Sequence, residues 1–414
     1  MEVTPFNKEE IQAFRAETAG TAERIHLNNA GASLPPDIVV NTMVDFLREE
    51  ALYGGYETEA KYRARLDHTH ELIAQLINAH ADEIALVENA SAAWDIAFNG
   101  LHFQPGDEVI TSEMEYVSNV LGLLNAQKLY GIVIKMIPND ADGNFPINAL
   151  EAAITARTKL IAVTHVPSTA GNVLPAAAIG EVARKHQIVY LLDACQSVGQ
   201  MPVDVQAIGC DMLAVTGRKY LRGPRGSGFL YVRRQMIDKL KLSFFDGRTV
   251  TNVNQQGFVV RADARRFEWY EKNPAVILGL QKAVEYVLNI GVERIWQRIQ
   301  NLMFLFRQRL RELDGIVVHD QGDELCGIVT FSISGVPAAE VRTKLAAKNI
   351  NVHIGFAKST LYYMNRKGLD GIVRASVHYY NTEEEIELVC RELRAIGSTH
   401  DYGNSSLAKA NTVK

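Results

Sequence analysis

Residues 210–230 read CDMLAVTGRKYLRGPRGSGFL. Met212 to Val215 is an apolar run with the length of a buried strand, and Thr216-Gly217 breaks it. Gly223, Pro224, Gly226 and Gly228 then crowd the chain, which lets backbone approach a ligand closely. Lys219 stands between the two. A lysine beside Arg218 and partly desolvated has a lowered pKa, and its free amine attacks an aldehyde. The same residues also read as a surface lysine in a basic loop, since Arg218, Arg222 and Arg225 are its neighbours.

Upstream of this stretch, apolar runs alternate with amphipathic helical patterns. The runs are IALVEN, EVITSE, IVIKMIP, KLIAVTH, IVYLLD and DMLAVTG, followed by GFLYV. Helices are expected from Ala92, Val117, Ile147 and Ala177. Continuous apolar strands separated by helices predict an α/β fold with a mainly parallel, doubly covered sheet, its last pair antiparallel across the glycine-rich link. Residues 1–24 read as a polar helical arm able to pack on another subunit. Helices follow over Asp37 to Glu50 and Glu57 to Ile77, separated by YGGYE. A long helix from Pro274 to about Leu313 marks a change of domain. Beyond it, strands at IVVHD, GIVTFSIS, NVHIG and IVRASVHYY, with helices from Ala338 and Thr382, predict a smaller α+β unit. The expected organisation is an arm (1–24), a large domain (25–273), a connecting helix with a small domain (274–397) and a mobile tail (398–414).

Composition excludes several function classes. The chain of 414 residues is 47% hydrophobic and 22% charged, as in ordinary globular proteins. Its 48 acidic and 43 basic residues give a formal charge of −5 without long single-sign blocks, so neither nucleic acid nor an anionic membrane is indicated. Cys195, Cys210, Cys326 and Cys390 lack metal-type spacing, and the start of the chain lacks the apolar core of a signal peptide. A cytoplasmic enzyme with a small-molecule partner is the expectation, with no metal site.

In open sheets of this class the ligand lies at the carboxyl ends of the strands. The residues there are Asn89-Ala90-Ser91, Glu115-Tyr116, His165, Asp193 and Thr216 to Lys219. Together they hold what pyridoxal phosphate requires: a lysine, an acid for the ring nitrogen, an aromatic face and a phosphate cup. Asp193 is a candidate for the ring nitrogen and equally for an N-cap. Ser91 opens a helix and either holds phosphate or caps. Tyr116 stacks on the ring or packs, and His165 is catalytic or satisfied in the core.

Asp211, Thr216-Gly217, Arg218, Lys219 and Gly226-x-Gly228 resemble the signature of class V, fold-type I pyridoxal phosphate enzymes of the cysteine desulfurase and selenocysteine lyase group. DACQSVG at Asp193, THVPSTAG around His165, EMEY ending at Tyr116 and VRASVHYYNTEEE around Arg374 resemble the group's other motifs, over roughly residues 24–397. The resemblance implies the fold-type I transferase fold and a homodimer. It places Lys219 and His165 at the reacting centre, Asp193 on the ring nitrogen, Gln196 on the phenolic oxygen and Tyr116 against the ring. Ala90, Ser91, Thr216 and Arg218 would form the phosphate cup, although relatives commonly have histidine in place of Arg218. Arg374 would clamp the substrate α-carboxylate, with Asn29 as a second substrate contact. Tyr270, in RRFEWYEKN, would reach the partner subunit's site.

One departure redirects the function. Desulfurases carry a mobile-loop cysteine ahead of the arginine motif, whereas NVHIGFAKSTLYY has none and Lys358 stands near its place. A lyase cleaving C–S or C–Se by Cα-proton removal and β-elimination is therefore expected. LNNAGASLPP and GGYE are also similar to hercynylcysteine sulfoxide lyases, for whose substrate Tyr53, Tyr56, Trp94 and Tyr362 are candidate pocket aromatics. The alternatives are a class V aminotransferase, an epimerase of the isopenicillin N type, a cysteine desulfurase, and an idle cofactor-binding protein.

Overall fold

A computed structural model describes the backbone of residues 3–410 and side chains as far as Ser398. Its centre is a seven-stranded sheet. In chain order the strands are β1 (Ile84–Val87), β2 (Glu108–Ser112), β3 (Val133–Ile137), β4 (Thr158–Thr164), β5 (Val189–Asp193), β6 (Met212–Thr216) and β7 (Gly228–Val232). Their spatial order is β1-β7-β6-β5-β4-β2-β3, with only β7 antiparallel to its neighbours. The apolar runs become strands because both faces are buried. Leu213, Val215, Ile161 and Leu192 enter one core, while Met212, Ala214, Ala162 and Leu191 enter the other. That alternation is the period of two of a strand, filled on both sides.

Helices Gly55–Ile77, Ala176–Lys185 and Pro274–Ile290 supply the first core, and Ala90–Asn99 and Val117–Tyr130 the second. A smaller antiparallel sheet follows, with β8 (Ile316–Val318), β9 (Ile328–Ile333), β10 (His353–Phe356) and β11 (Gly371–Ser376) in the order β8-β9-β11-β10. Helices Ala338–Ala346 and Glu383–Ala410 accompany it. The latter runs into the expected 398–414 tail, whose last four residues lie outside the described ones.

Two expectations, the single long helix and the absence of strands between β7 and Pro274, are corrected. The long helix from Pro274 is two helices, Pro274–Ile290 and Val292–Arg311, bent by 79° at Gly291. Gly291 has φ +90°, a conformation that side-chain-bearing residues avoid. The arm packs on its own chain: Phe14 meets the Tyr379 ring at 5.2 Å and Arg15 donates to Glu385 at 2.7 Å. A hairpin, Val250–Asn254 with Gly257–Val260, lies where no strand is expected. No single described helix is long and apolar enough to cross a membrane.

A buried ion cluster ties β1 to the segment before Pro274. Glu268, fully buried, accepts from His70 Nε2 at 2.6 Å, Leu86 N at 2.9 Å, Arg248 Nε at 3.2 Å and Lys272 Nζ at 2.5 Å. Burial would push this carboxyl up, but the surrounding His70, Lys272 and Arg248 hold it well below the usual range. Glu268→Ala leaves the buried His70 and Leu86 N–H, and the half-buried Arg248 and Lys272, without their acceptor. Denaturant titration should show a loss of about 3–5 kcal/mol; a loss under 1 kcal/mol would contradict this account.

Candidate active site

The lysine turn is built at the carboxyl edge of β6. Gly223 N donates to Gly217 O at 2.8 Å and Arg222 N to Lys219 O at 2.9 Å, closing a compact loop. Arg222 is itself buried, donating to Leu34 O, Thr18 Oγ1 and Tyr379 Oη, with the Tyr380 ring centroid 4.6 Å away. Lys219 is 9% exposed. The reading of this stretch as a solvated basic loop therefore fails at both residues. Burial pushes the Lys219 amine below its ordinary value; nearby Cys195 and Asp193 oppose the shift, and Arg218 and Arg374 add to it.

Close backbone packing brings a helix start to the same edge. A Cβ on Gly228 would fall 2.5 Å from Val215 O and 3.2 Å from the Asn89 carbonyl carbon. Only glycine allows that approach. It sets Thr216, the register partner of Gly228, near the first turn of helix Ala90–Asn99. Asn89, rather than Ser91, is the N-cap: its Oδ1 accepts from Ala92 N at 2.9 Å. The Ser91 side chain is exposed, and among the described residues no acceptor is assigned to the Ala90 and Ser91 amides, as first-turn amides require of an anion site. Arg218, expected in this cup, donates to Gly31 O instead.

Asp193 ends β5. Its Oδ1 accepts from Cys195 N at 2.9 Å and its Oδ2 from Asn119 Nδ2 at 3.0 Å. The Tyr116 ring centroid lies 5.8 Å from Lys219 Nζ. His165 donates its backbone N–H to Asp193 O at 2.9 Å, and burial lowers the imidazole pKa to about 4, so it is neutral near pH 7. Gln196 donates Nε2 to Ala30 O at 3.1 Å. Two residues without an assigned role in the sequence complete the group. Asn119 Nδ2 also donates to Glu115 Oε1 at 2.7 Å, and Glu115 is buried. An amide in the first turn of a helix carries no motif, so no sequence signal marks Asn119.

Arg374, on β11, donates Nη1 to Ser168 O at 2.8 Å and Nη2 to Asn28 Oδ1 at 3.1 Å. Burial lowers its pKa to about 10. Asn29, the expected substrate contact, instead spends its polar atoms internally: Nδ2 on Ser376 O at 2.7 Å and on His26 O at 3.2 Å, Oδ1 on Tyr380 Oη at 2.5 Å. Its neighbour Asn28 is the residue that meets Arg374, because the Asn28–Ser376 bridge sets that register. Lys358 is exposed, in a turn pinned to the His165 loop by Thr360 and Thr169 Oγ1 atoms 2.6 Å apart. Trp94 is buried and stacked on Phe98 in the core. Tyr270 is 64% exposed.

The class V aminotransferase pattern matches residues 25–389. The chain belongs to that family. A probable cysteine desulfurase from Methanothermobacter thermautotrophicus is 32% identical over 380 residues, spanning 90% of this chain and 95% of its own. The apo structure of a cysteine desulfurase from Thermococcus onnurineus matches with TM-score 0.89 at 27% identity, covering 96% of this chain and 100% of that one. The cystine C–S lyase C-DES, in complex with its reaction product cysteine persulfide, shares the fold at TM-score 0.83 and 22% identity, over 91% and 98% of the two chains.

As a class V enzyme the protein uses pyridoxal phosphate. The residues present fit that group. Among the described residues, His165 Nδ1, Gln196 Oε1 and Arg374 Nε are three of the twelve buried side-chain polar atoms without partners, and these three gather at this site. Orphans of this kind are rare in folded proteins. They accompany a desolvated amine, a carboxylate fixed by two donors and a helix start with free amides.

Proposed function

We propose that this class V enzyme is a carbon–sulfur lyase that eliminates the β-substituent of a cysteine-like amino acid. The observation that carries the reading is the state of its thiols. All four cysteines are buried, and burial pushes Cys210, Cys326 and Cys390 to about 12 and Cys195 well above its ordinary value. Thiols so placed are poor nucleophiles. The segment Asn351 to Tyr363, near which the resemblance would put the desulfurase cysteine, contains no cysteine and carries Lys358.

Pyridoxal phosphate supplies an electron sink for charge at the substrate Cα. Lys219 would hold the cofactor, and its amine would take the Cα proton on Nζ. Asp193 would keep the ring nitrogen protonated, Gln196 would meet the phenolic oxygen, and Ala90, Ser91 and Thr216 would receive the phosphate. Arg374 binds the substrate carboxylate. The C–S bond would then break with its electron pair on sulfur, Tyr116 would give the leaving group its proton while the neutral His165 only donates a hydrogen bond, and the released enamine would hydrolyse to pyruvate and ammonia. The assembly is read as a cytoplasmic homodimer in which the exposed Tyr270 turns to the partner. S-substituted cysteines and their sulfoxides, including hercynylcysteine sulfoxide, are the first substrates to try.

The names of the similar proteins favour a second reading, a cysteine desulfurase. Incubation with cysteine, cysteine sulfinate, selenocysteine, S-conjugates and sulfoxides separates the two. Stoichiometric pyruvate and ammonia from an S-conjugate are expected. Sulfane sulfur on the protein from free cysteine supports the desulfurase, and amino transfer to an oxo acid without pyruvate sinks the lyase.

A further inference from the structure

We infer that Glu115 is a positioning residue, acting through Asn119 to fix the Asp193 carboxylate; the inference rests on the assignment of Asp193 to the cofactor ring. Asn119 Nδ2 stands 2.7 Å from Glu115 Oε1 and 3.0 Å from Asp193 Oδ2. Both neighbours are carboxylate oxygens, so chemistry requires the amide nitrogen, not its oxygen, to face them. One NH2 thus spends its two hydrogens on two acids. Since Cys195 N already holds Asp193 Oδ1 at 2.9 Å, the Asn119 donor completes a pair, one on each oxygen, that sets the plane of the carboxylate.

Glu115 is the anchor of that donor. It is 1% exposed, and among the described residues no cation forms an ion pair with it. Its Oε1 accepts from Tyr116 N at 3.0 Å and from the Thr164 hydroxyl, and its Oε2 from Thr111 Oγ1 at 3.3 Å. A buried carboxyl without a counter-cation is costly. The start of helix Val117–Tyr130 favours an acid here, but that does not require the contact with Asn119. Burial, with Asp193 adding to it, raises the Glu115 pKa to about 7. The carbonyl oxygen of a protonated Glu115 still accepts from Asn119, so the orientation holds in either state. Glutamine reproduces that acceptor, whereas aspartate is one methylene too short to reach it.

The test compares Glu115→Gln, Glu115→Asp, Asn119→Ala and the Glu115→Asp/Asn119→Ala double variant, each reconstituted with pyridoxal phosphate. The readouts are the cofactor Kd and the visible absorbance of the bound cofactor. Glu115→Asp and Asn119→Ala should each weaken cofactor binding by about tenfold and move the absorbance, as supporting residues around bound groups commonly do. The double variant should be no weaker than either alone, because both remove one interaction. Glu115→Gln should stay within about twofold of the parent, as retained donors and acceptors predict. An Asn119→Ala variant within twofold of the parent, effects that multiply in the double variant, or a Glu115→Gln as damaging as Glu115→Asp would each overturn the inference. Asp193→Asn separates this from the underlying assignment. If it too leaves Kd and absorbance unchanged, the role of Asp193 is what fails; if it weakens binding while Asn119→Ala does not, only the positioning role fails.

Discussion

Lys219→Ala, reconstituted with pyridoxal phosphate and treated with borohydride, is expected to show no cofactor mass on the protein, whereas the parent carries it on the peptide containing residue 219. Elimination should slow by about 10²–10⁴-fold, the range for removal of a positioned acid–base group. The expectation follows from the site of the amine. Lys219 is held inside the fold, where burial disfavours its charge and Arg218 and Arg374 oppose it further, so more of it is free to act as nucleophile and base. Lys358 and Lys272 are the informative contrasts. The first is exposed, and the second is tied to Glu268 at 2.5 Å. Cofactor mass on either peptide in the parent protein, with Lys219 unmodified, would remove Lys219 from the mechanism.

The sheet and this end of the site are legible in the sequence for one physical reason. Strands buried on both faces must be continuously apolar, so their ends are visible, and the residues just beyond them share one edge. Lys219, Asp193, His165 and Tyr116 are found that way. What is less legible depends on single-residue choices between like neighbours. Asn28 and Asn29 are the same residue type, and only the bridge to Ser376 decides which of them faces Arg374. Asn89 and Ser91 are both good caps, and the backbone picks Asn89. The 250–260 hairpin is exposed along most of its length, so no alternation between core and solvent marks it. Gly291 breaks a helix whose apolar pattern continues on both sides. Asn119 is invisible because its meaning is a distance to two acids, one of them 74 residues away in the chain.

Arg374→Met should cut kcat/KM for the amino-acid substrate by about 10²–10³-fold, the consequence of losing a charge-assisted, two-pronged contact of roughly 3–4 kcal/mol. Its unfolding free energy without substrate should stay within about 1 kcal/mol of the parent. The two halves have one cause. In the fold, the guanidinium is surrounded by neutral acceptors, Ser168 O and Asn28 Oδ1, and its Nε has no partner among the described residues. No carboxylate of this chain pairs with it among the described residues, and burial, with Arg218 adding to it, lowers its affinity for its proton. A cation in that condition contributes little net stability, because its two hydrogen bonds are offset by the cost of its desolvation. What it gains on binding is an anion that the protein does not supply. Arg374→Lys tests the geometry separately: it keeps the charge but loses the planar fork, and should recover only part of the lost kcat/KM. If Arg374→Met instead unfolds the protein by several kcal/mol while kcat/KM per folded molecule is unchanged, Arg374 is a structural strut between β11 and the His165 loop, and the substrate carboxylate must be bound elsewhere.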